Sequence, residues 1–313
     1  MRHHSVPIGL FAIACSVLTH ASAARAAAAT WVSGTGSNAG SCPITAPCAS
    51  FQFAHQRTDA GGTINVLSAG SYGPLTITKS ISIVADRVEA AIHAGGAIGA
   101  AIKIEAGAGD IVSLRGLTLD LRGTNNIGIH FISGAELHLH NSVIRKATKG
   151  INFAPASGSS ALHIADSVIA NTNSVAILVA PTGSAAAKAV LDRVRVEDCS
   201  DGIGVSGGDT SGSVTATVRD SVVAGNANGG IHAFETGGGT TIVMVDRSAA
   251  VNNGNGIYAQ GGGATIRIGD STVSGNTNVG LLSQFSGTIA SYGTNKVNGN
   301  FLDGAPTTTI TMK

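Results

Sequence analysis

Four residues with hydrogen-bonding side chains stand one position after a recurring isoleucine and could line a binding surface. They are His130, Asn152, His232 and Tyr258. Imidazole, amide and phenol groups all form hydrogen bonds, and a tyrosine ring adds a flat apolar face on which a sugar can stack. The pattern therefore suits an extended glycan that lies across several repeats. An ordinary solvated strand face also explains these residues, because Leu178 and Gly204 interrupt the series.

A second polar patch contains three histidines, His138, His140 and His163. His138 and His163 hold the same offset in successive repeats, so their rings are expected to touch, and imidazole is a common metal ligand. No carboxylate is expected to join them, which favours a solvated histidine face. His130 and His232 are four repeats apart, roughly 19 Å, and cannot share an ion. The sequence therefore predicts no metal and no cofactor.

Acid–base cleavage of a glycan requires two carboxylates about 5–9 Å apart on one outer face. Asp120 has Arg145 as its expected neighbour one repeat on, which predicts an ion pair of small energetic value. Glu235 stands alone beside a glycine-rich loop. Cys199 has no histidine near it in the sequence, which indicates a buried free thiol and not a nucleophile. These residues identify no catalytic centre. They therefore disfavour an enzymatic function, but they leave open whether the protein is an enzyme.

A repeat of 24–28 residues positions all of these side chains. Its clearest copies lie in 218–283, and equivalent anchor residues stand at positions 141, 166, 192, 220, 246 and 270. A period of this length held over six units indicates a solenoid. Each period carries three short runs of alternating apolar and polar residues, and its inward positions are mostly Ile and Val, unlike those of a leucine-rich horseshoe.

We therefore predict an all-β, single-domain parallel β-helix with three strands per coil and roughly eight to ten coils. It is expected to be right-handed, because parallel crossovers almost always are. The predicted inward column is Ile129, Ile151, Ile177, Ile203, Ile231, Ile257 and Leu281, followed two residues on by Phe131, Phe153, Val179, Val205 and Ala233.

Two further columns are assigned to the turns between strands. Asn226, Asn252 and Asn276 are predicted to stack as a ladder of side-chain amides that bond coil to coil. A column of aspartates is predicted to make similar contacts at the turns, and its members are Asp166, Asp192, Asp220, Asp246 and Asp270.

The first 26 residues have the pattern of a secretory signal peptide. Arg2 supplies the positive start, residues 8–18 form a short apolar core, and small residues allow cleavage between Ala23 and Ala26. The mature protein is therefore expected to be secreted or periplasmic. The assigned range is 1–26.

The next segment, 27–60, is predicted to form an N-terminal cap on the β-helix, which then occupies 61–313. Cys42 and Cys48 are six residues apart, which favours a small local disulfide in an oxidising compartment. A short helix is expected at 49–57, because one face is apolar and a glycine pair follows.

Composition argues against several classes of partner. The net charge of the 313 residues is +1 and aromatic residues make up 4%. Neither value favours binding to nucleic acid or to an anionic membrane surface. The apolar core of the signal peptide is too short to span a bilayer, and no other stretch is long enough.

The N-terminal segment and the repeat together point to a known family. The segment reads Trp31-Val32-Ser33, then Cys42, then Pro47-Cys48-Ala49-Ser50-Phe51, and continues through Gly61-Gly62-Thr63-Ile64 and Gly70-Ser71-Tyr72-Gly73. In these features the chain resembles the secreted right-handed parallel β-helix proteins of bacteria, the pectin-lyase-like superfamily in its broad sense. The resemblance implies export, a capped β-helix and a carbohydrate or cell-surface context.

The active-site motifs of the enzymes in that superfamily are missing from the sequence. Asn-Thr-Asp and Gly-His-Gly of the polygalacturonases are absent, as are Trp-Ile-Asp-His of the lyases and Asp-Pro-His of the uronate epimerases. We therefore expect a non-catalytic exported protein whose elongated surface binds a polysaccharide or cell-surface glycan. The alternatives are a lyase or glycoside hydrolase acting on an acidic polysaccharide, with its site between His130 and His163, and a structural adhesin-like envelope protein.

The inward column generates a stability prediction. Ile203→Asp is expected to lower the free energy of unfolding by at least about 4 kcal/mol, because it places a charge where an apolar side chain is stacked between coils. Asn152→Asp, at an outward position, is expected to change it by less than about 1 kcal/mol. Urea unfolding followed by circular dichroism measures both; equal, small losses would mean that Ile203 does not face the core.

Overall fold

The computed structural model of this chain describes residues 27–93, 99–122 and 126–311. The predicted signal peptide, 1–26, lies outside the described residues. Within those ranges the chain forms one α-helix, α1 (Phe51–Arg57), and 32 β-strands. That helix has seven residues, and no helix in this part of the chain is long and apolar enough to cross a membrane.

The first eleven strands are β1 (Ala27–Val32), β2 (Thr58–Val66), β3 (Gly70–Ser71), β4 (Leu75–Ile77), β5 (Ile81–Val84), β6 (Ala90–His93), β7 (Ala100–Glu105), β8 (Ile111–Arg115), β9 (Leu117–Asp120), β10 (Ile127–Ser133) and β11 (Glu136–His140). The middle of the chain holds β12 (Val143–Arg145), β13 (Ile151–Phe153), β14 (Ser159–Ala165), β15 (Val168–Ala170), β16 (Val175–Val179), β17 (Ala186–Asp192), β18 (Arg195–Glu197), β19 (Asp201–Ser206), β20 (Ser213–Arg219), β21 (Val222–Ala224) and β22 (Gly229–Phe234). The last ten are β23 (Thr240–Asp246), β24 (Ala249–Val251), β25 (Asn255–Gln260), β26 (Ala264–Gly269), β27 (Thr272–Ser274), β28 (Val279–Gln284), β29 (Thr288–Ser291), β30 (Lys296–Val297), β31 (Leu302–Gly304) and β32 (Thr308–Thr309).

These strands form three parallel sheets that wind into a solenoid of about nine turns. Sheet 1 has twelve strands, β1 and β2 followed by every third strand from β5 to β32. Sheet 2 has ten, every third strand from β3 to β30, and sheet 3 has ten, every third strand from β4 to β31. The predicted all-β parallel β-helix with three strands per coil is confirmed. The right-handed winding stays a prediction.

The inward column lies in sheet 3 as predicted. Ile129 pairs with Ile151, and the register continues through each predicted member to Leu281. All of these side chains are buried. Two residues on, the Phe131 and Phe153 rings stack with centroids 4.3 Å apart. Because an isoleucine or leucine buried in this way stabilises the fold by about 1.5–3 kcal/mol, the column supplies much of the driving force for stacking.

The predicted aspartate column is wrong by one residue at two of its five members. The corner after sheet 1 needs a left-handed residue, and that position runs through Asn141, Asp166, Arg193, Asp220, Arg247 and Asp270, with φ between 44° and 52°. Asp192 and Asp246 end the preceding strands instead. Arg193 and Arg247 tolerate the left-handed backbone beside ion pairs to the aspartate one coil below, at 2.7 Å for Arg193 Nε to Asp166 Oδ1 and 2.9 Å for Arg247 Nε to Asp220 Oδ1.

An asparagine ladder crosses the corner after sheet 2, and one of its predicted members is wrong. The N–H of Asn226 donates to Asn253 Oδ1, that of Asn253 to Asn276 Oδ1, and that of Asn276 to Asn300 Oδ1, at 2.9–3.1 Å. Asn252 instead takes the left-handed position just before, with φ 55°. Asn252 and Asn253 both fit the repeat period, but only Asn253, whose side chain turns inward, joins the ladder. Cys199 precedes Asn226 in this column and is a buried free thiol, as predicted.

Helix α1 covers the first strand of sheet 3 through side-chain hydrogen bonds. Ser50 caps its N-terminus, and Phe51 packs against Tyr72 with ring centroids 4.9 Å apart. The N–H of Thr76 donates to Gln52 Oε1 at 2.8 Å, and that of Thr78 donates to His55 Nε2 at 3.4 Å. These contacts satisfy donors that an edge strand leaves open.

The segment before the helix is already part of the solenoid. β1 pairs in parallel with β2, with Trp31 opposite Asn65. Cys42 and Cys48 are joined by a disulfide, with their Cα atoms 5.0 Å apart. The segment therefore combines a sheet strand, a closed loop and a helix.

The asparagine ladder predicts a large cost for one buried amide. Asn253→Ala is expected to lower the free energy of unfolding by about 2–3 kcal/mol, because it removes the Oδ1 atom to which the buried backbone N–H and the side-chain amide of Asn226 both donate. Asn228→Ala, an exposed asparagine two residues after Asn226, is the matched control and should cost less than about 1 kcal/mol. Urea midpoints of the two variants and the parent measure the difference; similar midpoints for both variants would contradict the ladder.

His55 makes the stability of the helix region depend on pH. Burial, and then the charge of Lys79, lower the pKa of His55 to about 4, against about 6.5 in an unfolded chain. The folded state favours the neutral form of His55. The contribution of this residue to the free energy of unfolding is therefore complete above pH 6.5 and is lost as the pH falls towards 4.

We expect the parent to lose about 1–2 kcal/mol more than His55→Gln between pH 7 and pH 4.5, because protonation of the buried imidazole is disfavoured in the folded state. Urea unfolding of both proteins at the two pH values measures this. Parallel losses in parent and variant would show that His55 is not held neutral.

Candidate functional site

The structure places four of the six predicted binding residues in one outward row on sheet 3. This row, named the sheet-3 row, is Thr76, Lys103, His130, Asn152, Leu178, Gly204, His232, Tyr258 and Leu282, each opposite the next. His130 therefore touches Asn152, and His232 touches Tyr258, but Leu178 and Gly204 separate the two pairs. His138 and His163 lie on sheet 1 and belong to a different surface.

A pocket of about 570 Å³ opens at the start of the sheet-3 row. Its lining includes Gln52 from α1, Pro74, Lys103 and His130. Lys103 Nζ lies 2.7 Å from Glu105 Oε1, on the rim of this region. The pKa of His130 is lowered by burial first, and then by the charges of Lys103 and Lys149. The pocket wall therefore carries one cationic side chain, Lys103, which is paired with Glu105, and an imidazole, His130, whose pKa lies below its usual value.

An aromatic cluster occupies the row four coils further along. It consists of His232, Phe234 and Tyr258, whose ring centroids are 5.4–5.9 Å apart in edge-to-face contacts. The Tyr258 hydroxyl lies 2.7 Å from the side-chain oxygens of both Gln260 and Gln284. The cluster thus combines apolar ring surface with amide groups at its edge, a combination typical of ligand-binding surfaces.

His232 differs from its expected role as an exposed groove residue. Its side chain is buried, because Gly204 and Gly229 leave room for the ring to lie against the sheet. A Cβ at Gly229 would come within 1.7 Å of His232 Nε2. Burial lowers the pKa of His232, against the opposing charge of Asp201, whose Oδ1 is 4.0 Å from Nδ1. His232 therefore forms the floor under Phe234 and Tyr258.

A second cluster, named the Glu–His cluster, lies on sheet 1 and consists of Glu136, His138 and His163. The two imidazole rings stack with centroids 4.7 Å apart and planes 11° from parallel, which confirms the expected contact. Glu136 Oε2 lies 2.7 Å from His138 Nε2. The expectation that no carboxylate joins these histidines is wrong, because residues two apart on a strand share a face. Burial is the main cause that lowers the pKa of His163.

The other ionisable residues considered for catalysis serve structural contacts. Asp120 accepts from Arg145 Nε at 2.9 Å, as predicted, and Lys146 lies 3.8 Å away. Glu235 is buried and accepts hydrogen bonds from the N–H groups of Gly237, Gly238 and Gly263, which lower its pKa. Burial raises the pKa of the Cys199 thiol, which disfavours the thiolate.

Sequence reasoning missed three residues that complete these surfaces. Phe234 follows His232 by two, and Glu136 precedes His138 by two, so strand alternation alone would have placed each on the face of its neighbour. Lys149 stands before β13, outside any strand, and its charge helps to lower the pKa of His130. No periodic signal marks it.

Comparison with known proteins identifies the scaffold. No protein-family model and no curated protein sequence matches this chain. Among solved structures, a crystal structure of a pectate lyase is similar with a TM-score of 0.57 and 15% identity, covering 84% of this chain and 67% of that chain. A mannuronan C-5 epimerase A-module of Azotobacter vinelandii is 14% identical and covers 81% of this chain and 91% of its own. Its TM-score of 0.37 is too low to support an argument. The predicted pectin-lyase-like β-helix fold is thus confirmed.

Proposed function

We propose that this chain is an exported protein that binds an extended polysaccharide or cell-surface glycan along the sheet-3 row and does not cleave it. The observation that carries the proposal is the aromatic cluster, in which the half-buried rings of Phe234 and Tyr258 lie over the buried His232 and are bordered by amides. A sugar ring presents an apolar face to an aromatic ring and hydroxyl groups to the amides around it.

The length of the row suits a linear polymer. Lys103 and Tyr258 are six strand spacings apart, or about 29 Å. Leu178 and Gly204 lie between them, and Gly204 presents no side chain to a polymer lying along the row. The pocket beside Lys103 and the aromatic cluster therefore form two anchoring points at the ends of one straight surface.

The spacing of carboxylates on this face supports binding without cleavage. Glu105 lies at the end of β7 and Asp201 at the start of β19, four strands further along sheet 3. Their separation is thus at least about 19 Å. The general acid and base of a glycoside hydrolase need to be about 5–9 Å apart. These two groups cannot act together on one glycosidic bond.

Export, and the division of the chain, belong to the same proposal. Residues 1–26 would act as a cleavable signal, 27–60 as a cap and 61–313 as a right-handed β-helix. The bond between Cys42 and Cys48 supports this location, because disulfides persist in oxidising compartments.

A glycan array, followed by calorimetry on the best ligand, tests the proposal. Tyr258→Ala and Phe234→Ala are expected to weaken binding about tenfold or more each, because aromatic anchors dominate such surfaces. Tyr292→Ala removes a tyrosine that lies outside the sheet-3 row and should bind as the parent does. Failure of the parent to bind any glycan would contradict the proposal and favour a structural envelope role.

A second candidate function, cleavage of an acidic polysaccharide by β-elimination, is favoured by the pocket. There, His130 beside Lys103 could accept the proton on the carbon next to a uronate carboxylate; the electron pair forms a C=C bond, the glycosidic C–O bond on the adjacent carbon breaks, and the leaving oxygen takes a proton from water. Ultraviolet absorbance of the unsaturated product is the measurement. His130→Ala should abolish it with circular dichroism unchanged, and a parent that yields no such product excludes this function.

A further inference from the structure

We infer that the Glu–His cluster is a binding site for a first-row transition metal ion, with Zn²⁺ as the best match. Glu136, His138 and His163 each offer one ligand atom, and these atoms lie within 4.8 Å of one another. The inference is independent of the proposed function, because the cluster is on sheet 1 and the sheet-3 row is on another face of the solenoid.

The backbone fixes the three side chains on one surface. His138 and His163 are directly opposite each other on the neighbouring parallel strands β11 and β14. Glu136 precedes His138 by two residues and therefore projects from the same face. All three side chains are half-buried, so they are oriented by their surroundings yet remain accessible to an ion.

The distances are close to those that a tetrahedral ion requires. Zn–N and Zn–O bonds of about 2.0–2.2 Å place neighbouring ligand atoms about 3.3 Å apart. Glu136 Oε2 and His138 Nε2 are closer than this, at 2.7 Å, and are held by a hydrogen bond that an ion would replace. All three ligand atoms lie within 4.8 Å of one another, so no separation needs to contract by more than about 1.5 Å. Tilting the two stacked imidazole rings towards a common point achieves that without moving the strands.

The ligand set discriminates between classes of cation. Two imidazoles and one carboxylate suit Zn²⁺ and the neighbouring transition ions, and this combination with an open fourth position is one that zinc proteins use. Ca²⁺ and Mg²⁺ prefer oxygen ligands and need six or more of them. A site with two nitrogen ligands should therefore bind these ions weakly.

Two of the four residues that flank the cluster have small side chains and give room for the ion and its fourth ligand. Ser113 lies opposite His138 and Ala161 lies opposite Glu136, whereas the larger Ile111 and Val190 lie opposite Glu136 and His163. Ser113 and Ile111 also line a surface groove of about 350 Å³ that continues along sheet 1. Water, or an oxygen of a molecule in that groove, can complete the coordination.

Isothermal titration calorimetry with ZnCl2 tests the inference directly. The full chain is purified without a polyhistidine tag and titrated in a buffer that does not chelate metals. We expect one Zn²⁺ per chain, and no heat from CaCl2. Glu136→Gln, His138→Ala and His163→Ala should each weaken binding about tenfold or more. Glu136→Gln keeps the size of the side chain and guards against a loss of folding.

His140→Ala is the matched control, because His140 lies on the same strand and the same face as His138 but outside the cluster. It should bind Zn²⁺ as the parent does. A visible spectrum of the Co²⁺-loaded protein gives an independent readout, with the strong bands of four-coordinate Co²⁺ in the parent and in His140→Ala only. Absence of binding to the parent, or equal affinity in the parent and the three cluster variants, would overturn the site.

Discussion

Every feature of this protein depends on each coil returning to the same place one strand spacing, about 4.8 Å, above the last. The isoleucine column favours this register from inside. The corners between strands enforce the same register, because each buried N–H there that loses its acceptor costs about 1–3 kcal/mol. Serine and asparagine side chains meet that demand: the N–H of Ser142 donates to Ser167 Oγ and that of Ser221 to Ser248 Oγ, as the asparagines do one corner later. A coil that slipped would lose its apolar contacts and its corner hydrogen bonds together.

This register also determines what kind of site the molecule can build. A side chain on a strand has neighbours two residues away along the chain and one coil away across it, and both candidate clusters use these two steps. Glu136 and His163 reach His138 in this way, and Phe234 and Tyr258 reach His232. Surfaces made so are long and shallow, which suits a polymer or a bound ion better than a small molecule that must be enclosed. The pocket beside His130 lies where helix α1 adds a wall that the sheets do not supply.

The sequence predicted the parallel β-helix, its three strands per coil and the inward column, because apolar residues in a fixed period leave one solution. It failed at positions where two adjacent residues fit the same spacing. Asp192 and Arg193 are one such pair, and Asn252 and Asn253 are another; only the backbone shows which residue takes the left-handed corner. The burial of His232 depends on two glycines from different strands and has no periodic signal. The partner of His138 was within reach of strand alternation, because Glu136 is two residues away.

Cross-linking by paired cysteines measures the register most directly. Thr217 in β20 lies opposite Met244 in β23, on the outer face of sheet 1. Cysteines at 217 and 244 should therefore form a disulfide, whereas cysteines at 217 and 242 would have Cα atoms about 8 Å apart, beyond the usual limit of about 7 Å. Mass spectrometry of the oxidised proteins is expected to show the new bond in the first variant only. A bond in the second variant, or in neither, would contradict the stacking of coils on which the whole account is built.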